Sequence, residues 1–338
     1  VTGMGSNNVA KLAANGTRAA TIDVGQGPTG IVLDAARSRL YVLNRFDATV
    51  SSIDTTNDTE VGRVGFFDPT PTVIKDGRPL LYDAHLTSEL GNFSCAGCHV
   101  DANRDTEDWD LGDPQGAMTT LDQPCNTGTG LAGTCNDWHP MKGPMMTQTL
   151  IGSVGTEPLH WRGDRANMAA FTSGFTGLLG ANAPPAPAEM AKLEAFIATI
   201  RFQPNPHRTF FDDVPASVPG FAGDPANGET LFSNAALDQS STTCVTCHTM
   251  PTGAGDFLVS ANNLGDAQAM NVPQLRDLYK KVGLDFGSQT NDRGFVPYIC
   301  WKWSAVTSKD FFTPSRIAID GTTMMYFDQP YRLCNSMI

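Results

Sequence analysis

Basic residues are scarce in this chain. Lys and Arg number 23 against 35 Asp and Glu, giving a formal net charge of -12. That deficit argues against a nucleic-acid partner, whose phosphates need a basic face. It suits a basic redox partner or an exposed surface. Long apolar runs are missing as well. No stretch approaches the roughly 20 apolar residues of a membrane-spanning helix, so no membrane span is expected. The 41% hydrophobic content still supports ordinary cores, and 338 residues suffice for two or three domains. No signal peptide is visible at Val1, so the chain reads as processed or truncated. Histidine is limited to six residues: His85, His99, His139, His160, His207 and His248.

Against these absences stands a pentapeptide that occurs twice, Cys95-Ala96-Gly97-Cys98-His99 and Cys244-Val245-Thr246-Cys247-His248. C-x-x-C-H is the attachment signature of a c-type haem. Two sulfurs form thioethers to the porphyrin edge, and the adjacent imidazole binds the iron. Two haem c groups, with His99 and His248 as metal ligands, are therefore expected. The competing reading is a C-x-x-C zinc or dithiol site. Zinc needs two further thiolate or imidazole ligands, and neither copy has an obvious second pair.

Four of the eight cysteines lie outside these motifs. Cys125 and Cys135 flank a Gly/Thr-rich loop and are expected to form a disulfide; Cys300 and Cys334 are a second, weaker pair. Covalent haem and disulfides both point to an oxidising compartment, periplasmic or extracellular.

Along the chain, residues 20–64 read as β. Gly30–Leu33, Leu40–Asn44 and Val50–Asp54 are short strands separated by polar turns. The segment from Gly27 through Tyr41-Val42-Leu43-Asn44 resembles one blade of the Tyr-Val-Thr-Asn class of β-propeller repeats, of which a propeller needs several. A small β meander is the other reading. Phe67-Asp68-Pro69-Thr70-Pro71 is a linker. Carboxylates at Asp101, Asp105, Glu107, Asp108, Asp110 and Asp113 leave two readings open, a Ca²⁺ site or a solvated charge run, and the EF-hand order is absent. Residues 187–201 read as a helix, with Pro187 in the first turn and Met190, Leu193, Ile197 and Ile200 on one stripe. Asp224-Pro225 caps another helix, and Pro273 is expected to open one over Asn271–Val282. The domains expected are 1–66, the β segment; 67–208, a first haem domain; and 209–338, a second haem domain with an atypical tail.

The four histidines outside the motifs are candidate sixth iron ligands. His139, in the irregular stretch Trp138–Pro144, is the preferred one for the first haem. Near His160, Arg162 and Arg165 could pair with haem propionates. His85 and His207 read as surface or structural residues. Methionine is the usual ligand when histidine is lacking, with Met250, Met270, Met324 and Met325 as candidates for the second haem.

Leu81-Tyr82-Asp83-Ala84, Lys142-Gly143-Pro144, Trp161 with Arg162-Gly163-Asp164-Arg165, Gly228-Glu229-Thr230-Leu231-Phe232 and Val272-Pro273-Gln274-Leu275-Arg276 together resemble the bacterial di-haem cytochrome c peroxidase superfamily, over residues 77 to roughly 295. The resemblance implies a mainly α fold of two cytochrome c-like haem lobes after the blade-like β segment. It implies a peroxidase. The second-motif haem would take electrons from a small donor such as a cytochrome c or a cupredoxin, and the first-motif haem would react with hydrogen peroxide. It maps a distal histidine onto His139, an inter-haem tryptophan onto Trp161 and the second haem's ligand onto Met324 or Met325. Glu157 is the candidate acid/base. The family's His-Asp-Gly turn is replaced here by Val296-Pro297-Tyr298-Ile299-Cys300-Trp301. The alternatives are a non-catalytic electron-transfer cytochrome, as part of a homo-oligomer or larger extracellular assembly, and a module whose β segment docks a partner.

Overall fold

The structure, a computed structural model, describes residues 1–105, 107–205, 208–219, 224–236 and 242–276. His207, Cys300, Cys334, Met324 and Met325 lie outside the described residues. The chain divides into two compact units. Val1–Asp105 joins Met168–Arg201 in the first, and Thr106–Asn167 joins Phe202–Ile338 in the second.

The first unit opens with β1 (Thr2–Gly3), β2 (Asn8–Leu12) and β3 (Arg18–Asp23), a three-stranded sheet in sequence order. A four-stranded meander follows, made of β4 (Pro28–Asp34), β5 (Arg39–Asn44), β6 (Thr49–Asp54) and β7 (Thr59–Gly65). These strands form because β-branched and aromatic residues alternate with small ones between turn residues. Their turns use Ser38, Ala48 and Asp58 at positive φ. Val9, Ile22 and Val24 of the first sheet's segment bury themselves with Val42 and Ile53 of the second, and Leu40 closes the cluster. At the far end Asn44, fully buried, donates to Thr49 and Ser51 side chains at 2.9 and 2.8 Å, tying β5 to β6.

The unit continues as α1 (Thr72–Tyr82), α2 (Ala84–Thr87), α3 (Thr172–Gly177) and α4 (Pro187–Ile197). Helix α1 buries Gly77, Leu80 and Leu81 at helical spacing against α4. Gly77 is required there, because a Cβ would overlap the Lys192 carbonyl and the Phe196 side chain. The expected stripe of α4 is buried at Met190, Leu193 and Ile197, while Ile200 falls in the closing turn beyond the helix. Asp83, 1% exposed, caps α2 by accepting from the His85 and Leu86 amides, and also accepts from Asn7 at 2.9 Å.

The second unit contains β8 (Asp108–Trp109) paired with β9 (Met145–Met146), then α5 (Pro225–Asn234), α6 (Cys244–Cys247), and β10 (Leu258–Val259), α7 (Ala261–Leu264) and β11 (Met270–Asn271). Asp224 caps α5 through the Asn227 amide and Pro225 takes its first position, as the sequence indicates. Among the described residues of this unit Leu258 is fully buried. Its amide donates to the Pro124 carbonyl, its carbonyl accepts from Asn126, and β10 pairs with β11. The disulfide Cys125–Cys135 forms as expected and closes the loop beside it.

Two expectations need correction. The fold is not mainly α: helix accounts for 24% and strand for 21%, with four sheets among the described residues. The described helices are one to three turns long, and 33 glycines and 22 prolines break the chain between them. Two helical cytochrome c-like lobes therefore do not describe it, although the strands expected around Gly30–Leu33, Leu40–Asn44 and Val50–Asp54 do form. The helix expected from Asn271 is also absent over its described part. Asn271 is drawn into β11 by pairing with Leu258, and residues 272–275 carry no helix. Among the described residues, no helix is long and apolar enough to cross a membrane.

Candidate functional site

Both C-x-x-C-H segments fold as tight turns. Cys95–Gly97 is a single 3-10 turn in the first unit, and Cys244–Cys247 is the helical turn α6 in the second. In each, the histidine amide donates to the carbonyl of the first cysteine at 2.9 Å. The second turn is set by a capping box in which the Thr243 and Thr246 side chains satisfy each other's backbone amides. Such a turn gathers two sulfurs and one imidazole within a five-residue loop.

The imidazole of His248 is already oriented. Its Nδ1 lies 2.7 Å from the Gly253 carbonyl oxygen. A carbonyl only accepts, so Nδ1 carries the proton and the lone pair resides on Nε2. A backbone carbonyl behind a metal-ligating histidine is the usual means of fixing its tautomer and ring plane. Gly253 supplies that carbonyl from a left-handed turn (φ 69°), and a Cβ there would press on Leu275. Sequence reasoning missed Gly253, although Pro251-Thr252-Gly253 after the motif is a turn signal.

The donor chemistry fits a covalently attached porphyrin. Cys95, Cys98, Cys244 and Cys247 all stand outside the disulfide. Burial pushes the Cys95 thiol up to about 11. Burial also raises Cys98, helped by the neighbouring Asp105 carboxylate. Burial thus keeps both thiols of the first motif protonated at neutral pH. Among the described residues, no group of three or more His, Cys, Asp or Glu could hold a metal ion. A haem asks each motif for one nitrogen and two sulfurs. The carboxylates considered for Ca²⁺ include Asp110 and Asp113, which accept from the Gly112 and Gln115 amides at 3.3 and 2.9 Å.

The second unit also holds His139, Glu157, Trp161, Arg162 and Arg165. Trp161 is buried and its indole N–H donates to the Met146 carbonyl at 2.7 Å. The Asn271 backbone amide donates to the Trp161 carbonyl at 2.7 Å, tying this segment to β11. Gly163 (φ 65°) packs against Leu258 where a side chain would not fit. Arg162, 4% exposed, donates to the His139 carbonyl at 2.7 Å and pairs with Asp164 at 3.4 Å. Arg165 reaches the same carboxylate at 3.4 Å and Lys142 approaches it at 3.9 Å. His139 is itself exposed, and its Nδ1 accepts from the Met141 amide at 3.0 Å. Glu157 is half-buried and accepts from the Gly155 amide at 3.1 Å.

The hub of this cluster, Asp164, was not singled out from the sequence. It also bonds His160 Nδ1 at 2.7 Å, four residues away, and His160 holds a left-handed backbone (φ 69°). Burial alone would raise the Asp164 pKa; the His160 bond and the Lys142 and Arg165 charges overcome it and hold the carboxyl well below the usual range. Burial keeps His160 below the ordinary imidazole value against the pull of Asp164. Met250 and Met270 are described, half-exposed at a turn and buried in β11 respectively. His85 Nε2 lies 3.1 Å from the carbonyl of Ser6, 79 residues away in sequence.

No known family model matches the chain, and no curated protein matches it. Among solved structures the chain is similar to the hydrazine synthase of Kuenenia stuttgartiensis, at 15% identity over 64% of this chain and 75% of that one, with a TM-score of 0.42.

Proposed function

We propose that the protein is a di-haem c-type cytochrome that reduces hydrogen peroxide with electrons from a small redox protein, a cytochrome c or a cupredoxin, in the periplasm or outside the cell. One observation carries the reading. The attachment pentapeptide occurs twice with the same His-to-Cys backbone bond, and His248 is held by the Gly253 carbonyl in the tautomer that offers Nε2. Cys95, Cys98 and His99 would hold one haem, and Cys244, Cys247 and His248 the other. When bound, these groups supply one-electron redox chemistry and a site where peroxide can react. Each peroxide consumes two electrons and two protons and yields two waters.

The chain's own residues would hold and position. Cys95, Cys98, Cys244 and Cys247 would hold the porphyrins by adding each S–H across a vinyl double bond, the sulfur bonding one carbon and the hydrogen going to the other. The Gly253 carbonyl fixes one imidazole. The buried set Trp161, Arg162 and Asp164 anchors the segment carrying His139. The disulfide Cys125–Cys135 supports an oxidising compartment. Peroxide consumption by the purified holoprotein, with a reduced cytochrome c or cupredoxin as donor, tests the activity. Turnover after half-reduction is expected. Two haems with both irons low-spin in every redox state and no turnover would replace the peroxidase by an electron carrier.

A further inference from the structure

Among the described residues of the second unit, three histidines have a hydrogen bond at Nδ1 that fixes the tautomer, and they fall into two classes. His248 donates from Nδ1 to the Gly253 carbonyl, 2.7 Å away. His160 Nδ1 lies 2.7 Å from Asp164 Oδ1. Burial alone would raise the Asp164 carboxyl, but the His160 bond and the Lys142 and Arg165 charges hold it well below the usual range. It is therefore ionised and only accepts, and the proton belongs to His160 Nδ1. His139 is the reverse case. Its Nδ1 faces the Met141 amide at 3.0 Å, and an amide N–H only donates. In the neutral ring the His139 proton then sits on Nε2. His160 carries its lone pair on Nε2, as the motif histidine does, and His139 does not.

The support behind His160 is built to hold a ring still. The Leu159 amide donates to the Arg165 carbonyl at 2.7 Å, closing a turn in which His160 and Gly163 are both left-handed (φ 69° and 65°). A left-handed backbone at a bulky residue is strained and persists where its surroundings over-determine it. Asp164 Oδ1 takes the imidazole, while Oδ2 takes Arg162 and Arg165 at 3.4 Å and Lys142 at 3.9 Å. The Asp164 side chain is 5% exposed and that of His160 33%, so the pair hides the carboxylate and presents the imidazole. A carboxylate behind a histidine orients a metal-ligating imidazole and raises its basicity. The same turn is tied to the surroundings of the second motif. Asn271 donates its amide to the Trp161 carbonyl at 2.7 Å, and the Gly255 amide donates to the carbonyl of the next residue, Val272, at 3.1 Å. Gly255 in turn packs against the Cys247 carbonyl, which a Cβ would meet at 2.8 Å. Of the methionines considered for this haem, Met270 is buried in the β10–β11 pair and Met250 is half-exposed at a turn.

On the di-haem reading above, we propose that His160 is the sixth iron ligand of the haem held by Cys244, Cys247 and His248. That iron would take two imidazole nitrogens, each from a ring whose Nδ1–H is bonded to an oxygen. With both axial positions filled, the second haem transfers electrons and leaves peroxide to the first. Methionine is the ligand that raises the potential of such an iron, so a second histidine holds this haem below a histidine–methionine one.

Absorption and electron paramagnetic resonance spectra of the full two-haem chain test the assignment, with His160→Gln, His160→Met and His139→Gln as variants and circular dichroism to verify that each folds. His160→Gln should turn one low-spin ferric haem high-spin, and free imidazole should return it to low spin. In the Cys244→Ala/Cys247→Ala chain, which keeps the first haem alone, the same substitution should change nothing. His160→Met should keep the iron low-spin, add a methionine–iron charge-transfer band and raise the midpoint potential of that haem. His139→Gln should leave the second haem as it was. An unchanged spin state in His160→Gln, a change that persists without the second motif, or a wild-type methionine–iron band that disappears with that motif would each overturn the assignment. Porphyrin content is read separately from the intact mass, so loss of the haem reading and loss of this ligand are distinct results, and neither depends on peroxide turnover.

Discussion

At the residue scale, the Gly253 carbonyl and the Asp164 carboxylate do most to define the second unit's chemistry. Gly253→Ala places a Cβ against Leu275 at a left-handed φ, and should cost about 1–2 kcal/mol in urea unfolding. Asp164→Asn leaves the buried Arg162 guanidinium short of its counter-charge, and should cost about 3 kcal/mol near pH 7. The pH dependence follows from the sign of the shift. The folded pKa of Asp164 lies below its ordinary 3.8, so its contribution is full above about pH 5 and disappears as pH falls through and below 4. Asp68, lowered to about 2 chiefly by its bond from Thr70, adds to the same acid limb. Urea midpoints measured from pH 7 down to pH 3 should fall for the wild type and fall less steeply for Asp164→Asn. A parallel fall in both proteins would remove Asp164 from this account. The Asp164 hub was present in the sequence as Arg-Gly-Asp-Arg, but the convergence of His160, Lys142 and two arginines on one carboxylate depends on loop geometry that no period encodes.

At the element scale, Gly77 decides how closely α1 approaches α4. Gly77→Ala must push on the Lys192 backbone carbonyl, which cannot swing aside as a flexible side chain could. A loss of about 1–3 kcal/mol is expected in thermal or urea melts, and an unchanged melt would contradict the packing described. Elements fixed by local chemistry were legible. Asp224-Pro225 opened its helix, Pro187 opened another, and the alternating strands around Tyr41–Asn44 fell where their turns placed them. Asn271 was misread because Pro273 resembles a helix start, whereas pairing with Leu258, distant in sequence, claimed the segment for a strand.

At the scale of the whole molecule, the expectation of two helical lobes rested on family resemblance and not on periodicity, and the sheets and irregular loops overturn it. The two pentapeptides stand out in the sequence because their pattern is local: five residues carry both sulfurs and the imidazole whatever surrounds them. The central claim is that each pentapeptide holds one covalent haem. Intact mass of the denatured protein, read with the pyridine haemochrome absorbance, measures it directly. Two porphyrin additions are predicted for the wild type, and one for the Cys244→Ala/Cys247→Ala variant. A wild-type mass without porphyrin, or a variant that keeps both, would contradict the account.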